Sequence, residues 1–92
     1  MRFRLFDAGI LPHEAHVPKG QVQITMEDYS GGKSGLVVQR LNDDGTGAPP
    51  VLIGQVTRGD FWRAEGVMTL AVGRYQVSMA DRPNNRALLV VE

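Results

Sequence analysis

Two histidines, His13 and His16, are the residues whose type and spacing most directly suggest chemistry, and the chain has no other imidazole. Two imidazoles three positions apart converge on one metal ion from a helix, whereas in an extended strand they point to opposite faces. Pro12 precedes the pair and a predicted strand follows it, so convergence would need an irregular backbone. We expect a surface pair. The alternative is a metal-binding or redox protein that uses His13 and His16, with Glu14 or a partner chain supplying further ligands.

Residues 31–34, Gly-Gly-Lys-Ser, resemble the end of a phosphate-binding loop. That motif requires a glycine five positions before its Gly-Lys-Ser triplet, where this chain has Glu27. It also requires a following helix whose N-terminus faces the phosphates, but the apolar residues 36–38 predict a strand. We therefore expect a hairpin loop at this segment.

No nucleophile–base arrangement is evident in the sequence. The serines are Ser30, Ser34 and Ser78, and none lies in a Gly-x-Ser-x-Gly elbow. The absence of cysteine excludes disulfides, thiolate catalysis, cysteine zinc sites and a thiolate copper site. Residues 42–45, Asn-Asp-Asp-Gly, lack the later bidentate glutamate of a calcium loop and predict a turn. These features predict a protein that is not an enzyme and that carries no cofactor.

Apolar side chains offer a second kind of candidate. Met26 and Met79 lie in the apolar phase of alternating segments, so filling of the core explains them better than a soft-metal site does. Phe61 and Trp62 are adjacent, and one core cannot easily bury both. We expect one of them to cap the end of the fold and keep open that the other anchors a partner.

Length and charge limit the organisation and the partners. The 92 residues predict one domain, covering 1–92. Ten basic residues balance ten acidic ones, which argues against a nucleic-acid binder or a polybasic membrane-surface protein. No apolar run approaches the ~20 residues that span a bilayer, so no membrane insertion is expected.

The elements that must position these residues are predicted to be strands. Glycine and proline interrupt the chain so often that the longest clear stretches hold ten residues or fewer, and apolar and polar residues alternate in 21–27 and 74–79. One helical turn is predicted at 60–66, with Asp60 as N-cap and Gly66 as its end. About seven strands are predicted, at residues 2–6, 21–27, 35–41, 51–56, 67–70, 74–79 and 87–91. The pattern favours an all-β, antiparallel Greek-key β-sandwich.

The strongest single indication of this fold is the segment from Leu70 to Tyr75. In Greek-key sandwiches, a tyrosine just after a glycine-containing corner donates its hydroxyl to the backbone a few residues upstream. Gly73 and Tyr75 have this spacing, and alternation follows them. We interpret them as a structural corner, the alternative being an ordinary core tyrosine.

Three segments together resemble cupredoxin-like domains. Residues 16–25 resemble their opening strand, Pro-x-Gly turn and alternating strand, while residues 70–75 and 86–91 resemble their closing half. Cupredoxins bind copper through two histidines, one cysteine and usually a methionine. The first histidine would fall within residues 33–36, which contain none, and residues 76–85 supply only Met79. The resemblance therefore implies the scaffold, with no copper centre.

The function predicted on these grounds is a non-enzymatic interaction or assembly module that binds a protein partner, or itself, through sheet edges and loops. One reason is the continuously apolar segment 88–91, which is either buried between strands or paired with another chain. Cupredoxin-like domains are usually exported, so the resemblance implies a periplasmic or extracellular location. Residues 1–7 contain no apolar signal segment, and the residues themselves are equally compatible with a cytosolic location.

Overall fold

A computed structural model of the chain describes residues 1–29, 35–41, 51–55 and 63–92. Within these ranges it contains nine strands and no helix. The strands are β1 (Arg2–Phe6), β2 (Gly9–Leu11), β3 (Glu14–Val17), β4 (Gly20–Asp28), β5 (Gly35–Leu41), β6 (Val51–Gln55), β7 (Arg63–Leu70), β8 (Gly73–Met79) and β9 (Arg86–Val91). In the part of the chain so described, there is accordingly no helix that could cross a membrane.

The strands form two sheets, one with the order β2-β1-β4-β7 and the other with the order β3-β9-β8-β5-β6. The predicted all-β sandwich is confirmed, with two differences. First, both sheets are mixed, because β1 pairs with β4 and β3 pairs with β9 in parallel. Second, the short strands β2 and β3 increase the number above the predicted seven or so. Parallel pairs join segments that are far apart in sequence, so local alternation does not reveal them.

The core lies between the two sheets. The alternation of apolar and polar residues along the strands determines which side chains face it. On β4, Ile24 and Met26 are fully buried, and on β8 the same holds for Val77 and Met79. Burying one such side chain contributes roughly 1.5–3 kcal/mol to folding. The core also includes Phe3, Leu5, Ile10, Ala15, Val22, Leu36, Val38, Leu70, Tyr75, Ala87, Leu89 and Val91.

The predicted helical turn at residues 60–66 is wrong where the structure describes it. Residues 63–66 begin β7, which pairs with β4 from Arg63 opposite Glu27 to Leu70 opposite Gly20. Exposed and partly buried side chains alternate along β7, as in a strand with one covered face. Pairing with a neighbouring strand therefore outweighs the local signal for a helix end. Asp60 lies outside the described residues.

The last strand, β9, lies inside the five-stranded sheet. It pairs with β3 on one side and with β8 on the other. Leu89 and Val91 face the core and are almost completely buried. The apolar segment 88–91 is thus buried between strands of its own chain, so it gives no reason to expect association with another chain.

Candidate functional site

Tyr75 forms a corner between β7 and β8. Its hydroxyl donates a hydrogen bond to the carbonyl oxygen of Ala71, with an oxygen–oxygen distance of 3.0 Å. The ring is buried, and the hydrogen bond satisfies a phenol oxygen whose burial without a partner costs about 1–3 kcal/mol. Gly73, two residues before Tyr75, has a φ of 154°, which residues with a side chain rarely adopt.

Arg40 completes this corner, although nothing near it in the sequence indicates that role. It lies opposite Tyr75 on the neighbouring strand β5. The guanidinium lies 5.8 Å from the centre of the Tyr75 ring, and its Nη2 donates a hydrogen bond of 3.1 Å to the carbonyl oxygen of Val72. We call Arg40, Ala71, Val72, Gly73 and Tyr75 the tyrosine corner.

His16 lies on the outer surface of β3 between two carboxylates. Its Nε2 is 2.9 Å from Oε2 of Glu14, and its Nδ1 is 2.6 Å from Oε1 of Glu92. Hydrogen bonds to Glu14, and then to Glu92, raise the pKa of His16 above its ordinary value of 6.5. All three side chains are about half exposed or more. The arrangement is therefore an exposed ionic cluster that connects β3 to the residue following β9.

The structure does not unite the two histidines in a metal site. The two carboxylates lie on different ring nitrogens of His16, so they do not converge on one point with the imidazole. His13 is exposed just before β3, and its carbonyl oxygen accepts a hydrogen bond from the amide of Leu88. Among the residues described, no three His, Cys, Asp or Glu side chains form a group that could hold a metal ion.

The turn between β8 and β9 closes one end of the sandwich. Asn85 Nδ2 donates hydrogen bonds to the carbonyl oxygen of Asp7, at 3.1 Å, and to the Sδ of Met79, at 3.4 Å. Arg82 forms an ion pair with Asp7, in which Nη1 of Arg82 lies 2.6 Å from Oδ1 of Asp7. Met79 is fully buried. These contacts fix the turn to the end of β1.

A groove of about 370 Å³ lies on the outer side of the four-stranded sheet. We call it the arginine groove. It is lined by Arg2, Arg4, Phe6, Leu11 and Pro12. Alternation along β1 places its first, third and fifth residues on this face, opposite the buried Phe3 and Leu5, and the antiparallel partner β2 brings Leu11 beside Arg4.

The charges of the arginine groove are only weakly paired. Oε1 of Glu27 lies 3.5 Å from Nε of Arg2 and 3.4 Å from Nε of Arg4. Both arginine side chains are 53% exposed, and exposed ion pairs of this kind contribute at most about 1 kcal/mol. Two guanidinium groups thus share one carboxylate, so these three side chains together carry an excess of one positive charge.

Aromatic and aliphatic side chains extend this surface. The rings of Phe6 and Tyr29 are stacked, with their centres 5.5 Å apart. Tyr29 is 50% exposed, and Leu11 is 46% exposed. Large apolar or aromatic side chains that are exposed beside arginines are typical of the anchors in protein interfaces.

Sequence reasoning did not identify the arginine groove. The alternation at residues 2–6 places Arg2, Arg4 and Phe6 on one face, but the groove also requires the register of β1 with β2. Other sequence candidates lie outside the described residues: Phe61 and Trp62, the Gly-Gly-Lys-Ser loop, and the Asn-Asp-Asp-Gly turn.

Comparison with known proteins shows the fold. No protein-family profile and no curated protein matches the chain. Among solved structures, a purple cupredoxin from Nitrosopumilus maritimus is similar over 99% of this chain and 98% of its own, with a TM-score of 0.70 and 15% identity. A methionine-to-alanine mutant of amicyanin in its Cu(I) form is similar over 100% of this chain and 81% of its own, with a TM-score of 0.68 and 15% identity. The chain therefore has a cupredoxin-like fold.

The residues of this chain do not fit the copper ligands that this fold family implies. A thiolate ligand is excluded because the sequence contains no cysteine, and its two histidines, at positions 13 and 16, lie on or beside β3. At the β8–β9 turn, the thioether of Met79 is buried and accepts a hydrogen bond from Asn85. We therefore derive no chemistry through a copper centre of the two-histidine, one-cysteine type.

Proposed function

We propose that this chain is a non-enzymatic interaction module that binds a protein partner through the arginine groove. The observation that supports the proposal is the combination, in one groove, of apolar side chains with two half-exposed guanidinium groups. Apolar contact provides affinity and guanidinium groups provide orientation, as in the centres of many interfaces. The groove borders β2, an edge strand, so the location agrees with the predicted use of sheet edges.

The lining residues favour binding over catalysis. Arginine, phenylalanine, leucine and proline supply neither a nucleophile nor a group that exchanges protons near neutral pH. The groove volume of about 370 Å³ lies near the lower end of the roughly 300–1,000 Å³ of ligand sites. A groove of this size accommodates a few residues of a partner segment.

Selection from a random library of short displayed peptides tests the proposal. The chain is immobilised, and the selected peptides are then measured against Leu11→Ser. The matched control is Val67→Ser, since Val67 is an aliphatic residue, 65% exposed, on β7 at the opposite edge of the same sheet. We expect peptides that lose about tenfold or more in affinity for Leu11→Ser and none for Val67→Ser.

Two outcomes contradict the proposal. One is a selection that yields no peptide sensitive to Leu11→Ser. The other is a homodimer in sedimentation velocity that Leu11→Ser dissociates, because the groove would then be covered by a second copy of the chain.

A metal-binding or redox function through His13 and His16 is the second candidate. It is favoured by the fold shared with copper proteins and by the exposed imidazole of His16 beside two carboxylates. Titration with Cu²⁺ and Zn²⁺ tests it. Sub-micromolar binding that His16→Ala abolishes and that His13→Ala weakens supports this candidate, while weak binding that is unchanged in both variants contradicts it.

A further inference from the structure

We infer that the arginine groove recognises an acidic segment in which an aromatic side chain lies next to carboxylates. This inference rests on the proposed function, because it specifies the partner chemistry of the same groove. It follows from three properties of the lining: the geometry of the guanidinium groups, the apolar surface beside them, and the balance of charge.

The guanidinium groups have donors available for an incoming carboxylate. Glu27 approaches the Nε atoms of Arg2 and Arg4. The contacts are 3.5 Å for Arg2 and 3.4 Å for Arg4, and both run through Nε, not through a terminal Nη atom. A guanidinium binds a carboxylate through two parallel N–H donors, so each group retains a pair of donors suited to this purpose.

Apolar surface lies directly beside these donors. Arg4 has Glu27 opposite it on β4 and Leu11 opposite it on β2. The surface is therefore charged near β4 and apolar near β2. Phe6 and Pro12 extend the apolar part. A ligand that matches this order has a carboxylate on one side and an apolar group on the other. An aromatic ring suits the apolar part because Phe6 already stacks on Tyr29.

The limited excess of charge favours a peptide over a nucleic acid. Two arginines oppose one glutamate at the groove, and Glu65 accompanies Arg63 at the far edge of the same sheet. The chain as a whole has no net charge. Binding along a phosphate backbone requires several unpaired cations in a row, which the described residues of this face do not present.

NMR titration of the full ¹⁵N-labelled chain with blocked tripeptides tests the inference. The probe is acetyl-Asp-Phe-Asp-amide, and the controls are acetyl-Asn-Phe-Asn-amide, acetyl-Asp-Gly-Asp-amide and inorganic phosphate. We expect the probe to shift the amide signals of β1 and β2 and to bind about tenfold more tightly than the asparagine peptide. The glycine peptide is expected to bind more weakly as well, because it lacks the aromatic ring.

Two arginine variants locate the effect. Arg4→Gln is expected to abolish the preference for aspartate over asparagine. Arg74→Gln removes an exposed arginine from β8 in the other sheet, and it is expected to preserve the preference. Both substitutions lie on the surface, and unchanged amide dispersion would show that the fold is retained.

The outcomes separate this inference from the proposed function. Equal binding of the aspartate and asparagine peptides overturns the inference, as does a response to phosphate as large as that to the probe. If the library also yields uncharged peptides that require Leu11, the groove binds proteins but the partner chemistry is different. If no library peptide requires Leu11, the proposed function itself fails.

Discussion

Arg40 and the pair Arg2 and Arg4 are all exposed arginines on strands, yet their surroundings differ. The guanidinium of Arg40 donates to the carbonyl oxygen of Val72 and lies near the face of the Tyr75 ring. The guanidinium groups of Arg2 and Arg4 share one carboxylate at 3.4–3.5 Å. Exposure alone therefore does not distinguish an arginine that supports the fold from one available to a ligand. The two kinds of arginine are distinguished by the contacts that each guanidinium already makes within the chain.

The tyrosine corner and the arginine groove thus differ in what their residues are expected to control. In the corner, the Tyr75 hydroxyl and the Arg40 guanidinium each donate to a backbone carbonyl oxygen, so substitution should lower stability. In the groove, the two guanidinium groups are half exposed and share one carboxylate, so substitution should change binding and leave stability nearly unchanged. Three predictions test this difference, and a fourth tests the ionic cluster at His16.

Gly73→Ala is expected to have the largest effect on stability. The φ of 154° is unfavourable for alanine, and an added Cβ would lie 3.2 Å from Nη2 of Arg40. We expect the free energy of unfolding in urea to fall by about 1–3 kcal/mol. Gly9→Ala is the matched control, since Gly9 has the same φ but open space around the added atom. Equal losses in the two variants would show that contact with Arg40 is unimportant.

Tyr75→Phe is expected to have the next largest effect. It removes the donor to Ala71 and leaves the ring in place, so we expect a loss of about 1 kcal/mol with an unchanged denaturant slope. Tyr29→Phe, at a half-exposed position, is the control and should have no measurable effect. If Tyr75→Phe is as stable as the wild type, the hydroxyl does not stabilise the corner.

The His16 cluster should give a pH dependence of stability. Because hydrogen bonds to Glu14 and Glu92 raise the pKa of His16 in the folded chain, the cluster stabilises the fold fully below pH 6.5. This contribution disappears as the pH rises through the raised value. The urea midpoint of the wild type should therefore exceed that of His16→Gln in mildly acidic buffer, and the difference should shrink in alkaline buffer. A constant difference would contradict the assigned pKa shift.

Arg4→Gln is expected to have the smallest effect on stability, below about 0.5 kcal/mol, because the Arg4 side chain is half exposed and Glu27 keeps its contact with Arg2. Arg40→Gln is the variant for comparison, and thermal unfolding measures how much stability each of the two variants loses. We expect the larger decrease for Arg40→Gln, which loses a backbone hydrogen bond and the contact with Tyr75. The reverse order would remove the distinction between the two kinds of arginine.

The sequence was informative wherever the deciding contacts are local. Alternation in β4 and β8 predicted which side chains form the core, and the spacing of Gly73 and Tyr75 predicted a corner, in which the structure places a hydrogen bond between residues four positions apart. Both features depend on the period of a strand or on the geometry of one turn.

The remaining features depend on which strands are neighbours. Arg40 reaches the corner only because β5 pairs with β8, and Leu11 reaches Arg4 only because β1 pairs with β2. The helix signal at residues 60–66 was misleading for a related reason, since pairing with β4 fixes residues 63–66 as a strand. Capping residues give only a local preference for a helix end. The interstrand hydrogen bonds of a long strand pair stabilise the strand by more than this preference.

The parallel pairing of β3 with β9 also has a consequence for folding during translation. β3 is at the edge of its sheet and has β9 as its neighbour, so residues 14–17 emerge from the ribosome long before residues 88–91 can join them. Until then, β3 lacks its neighbouring strand, and Ala15, which is buried in the folded chain, is exposed. Pairing between segments so distant in sequence slows folding, and an unpaired strand edge is prone to aggregation until it is covered.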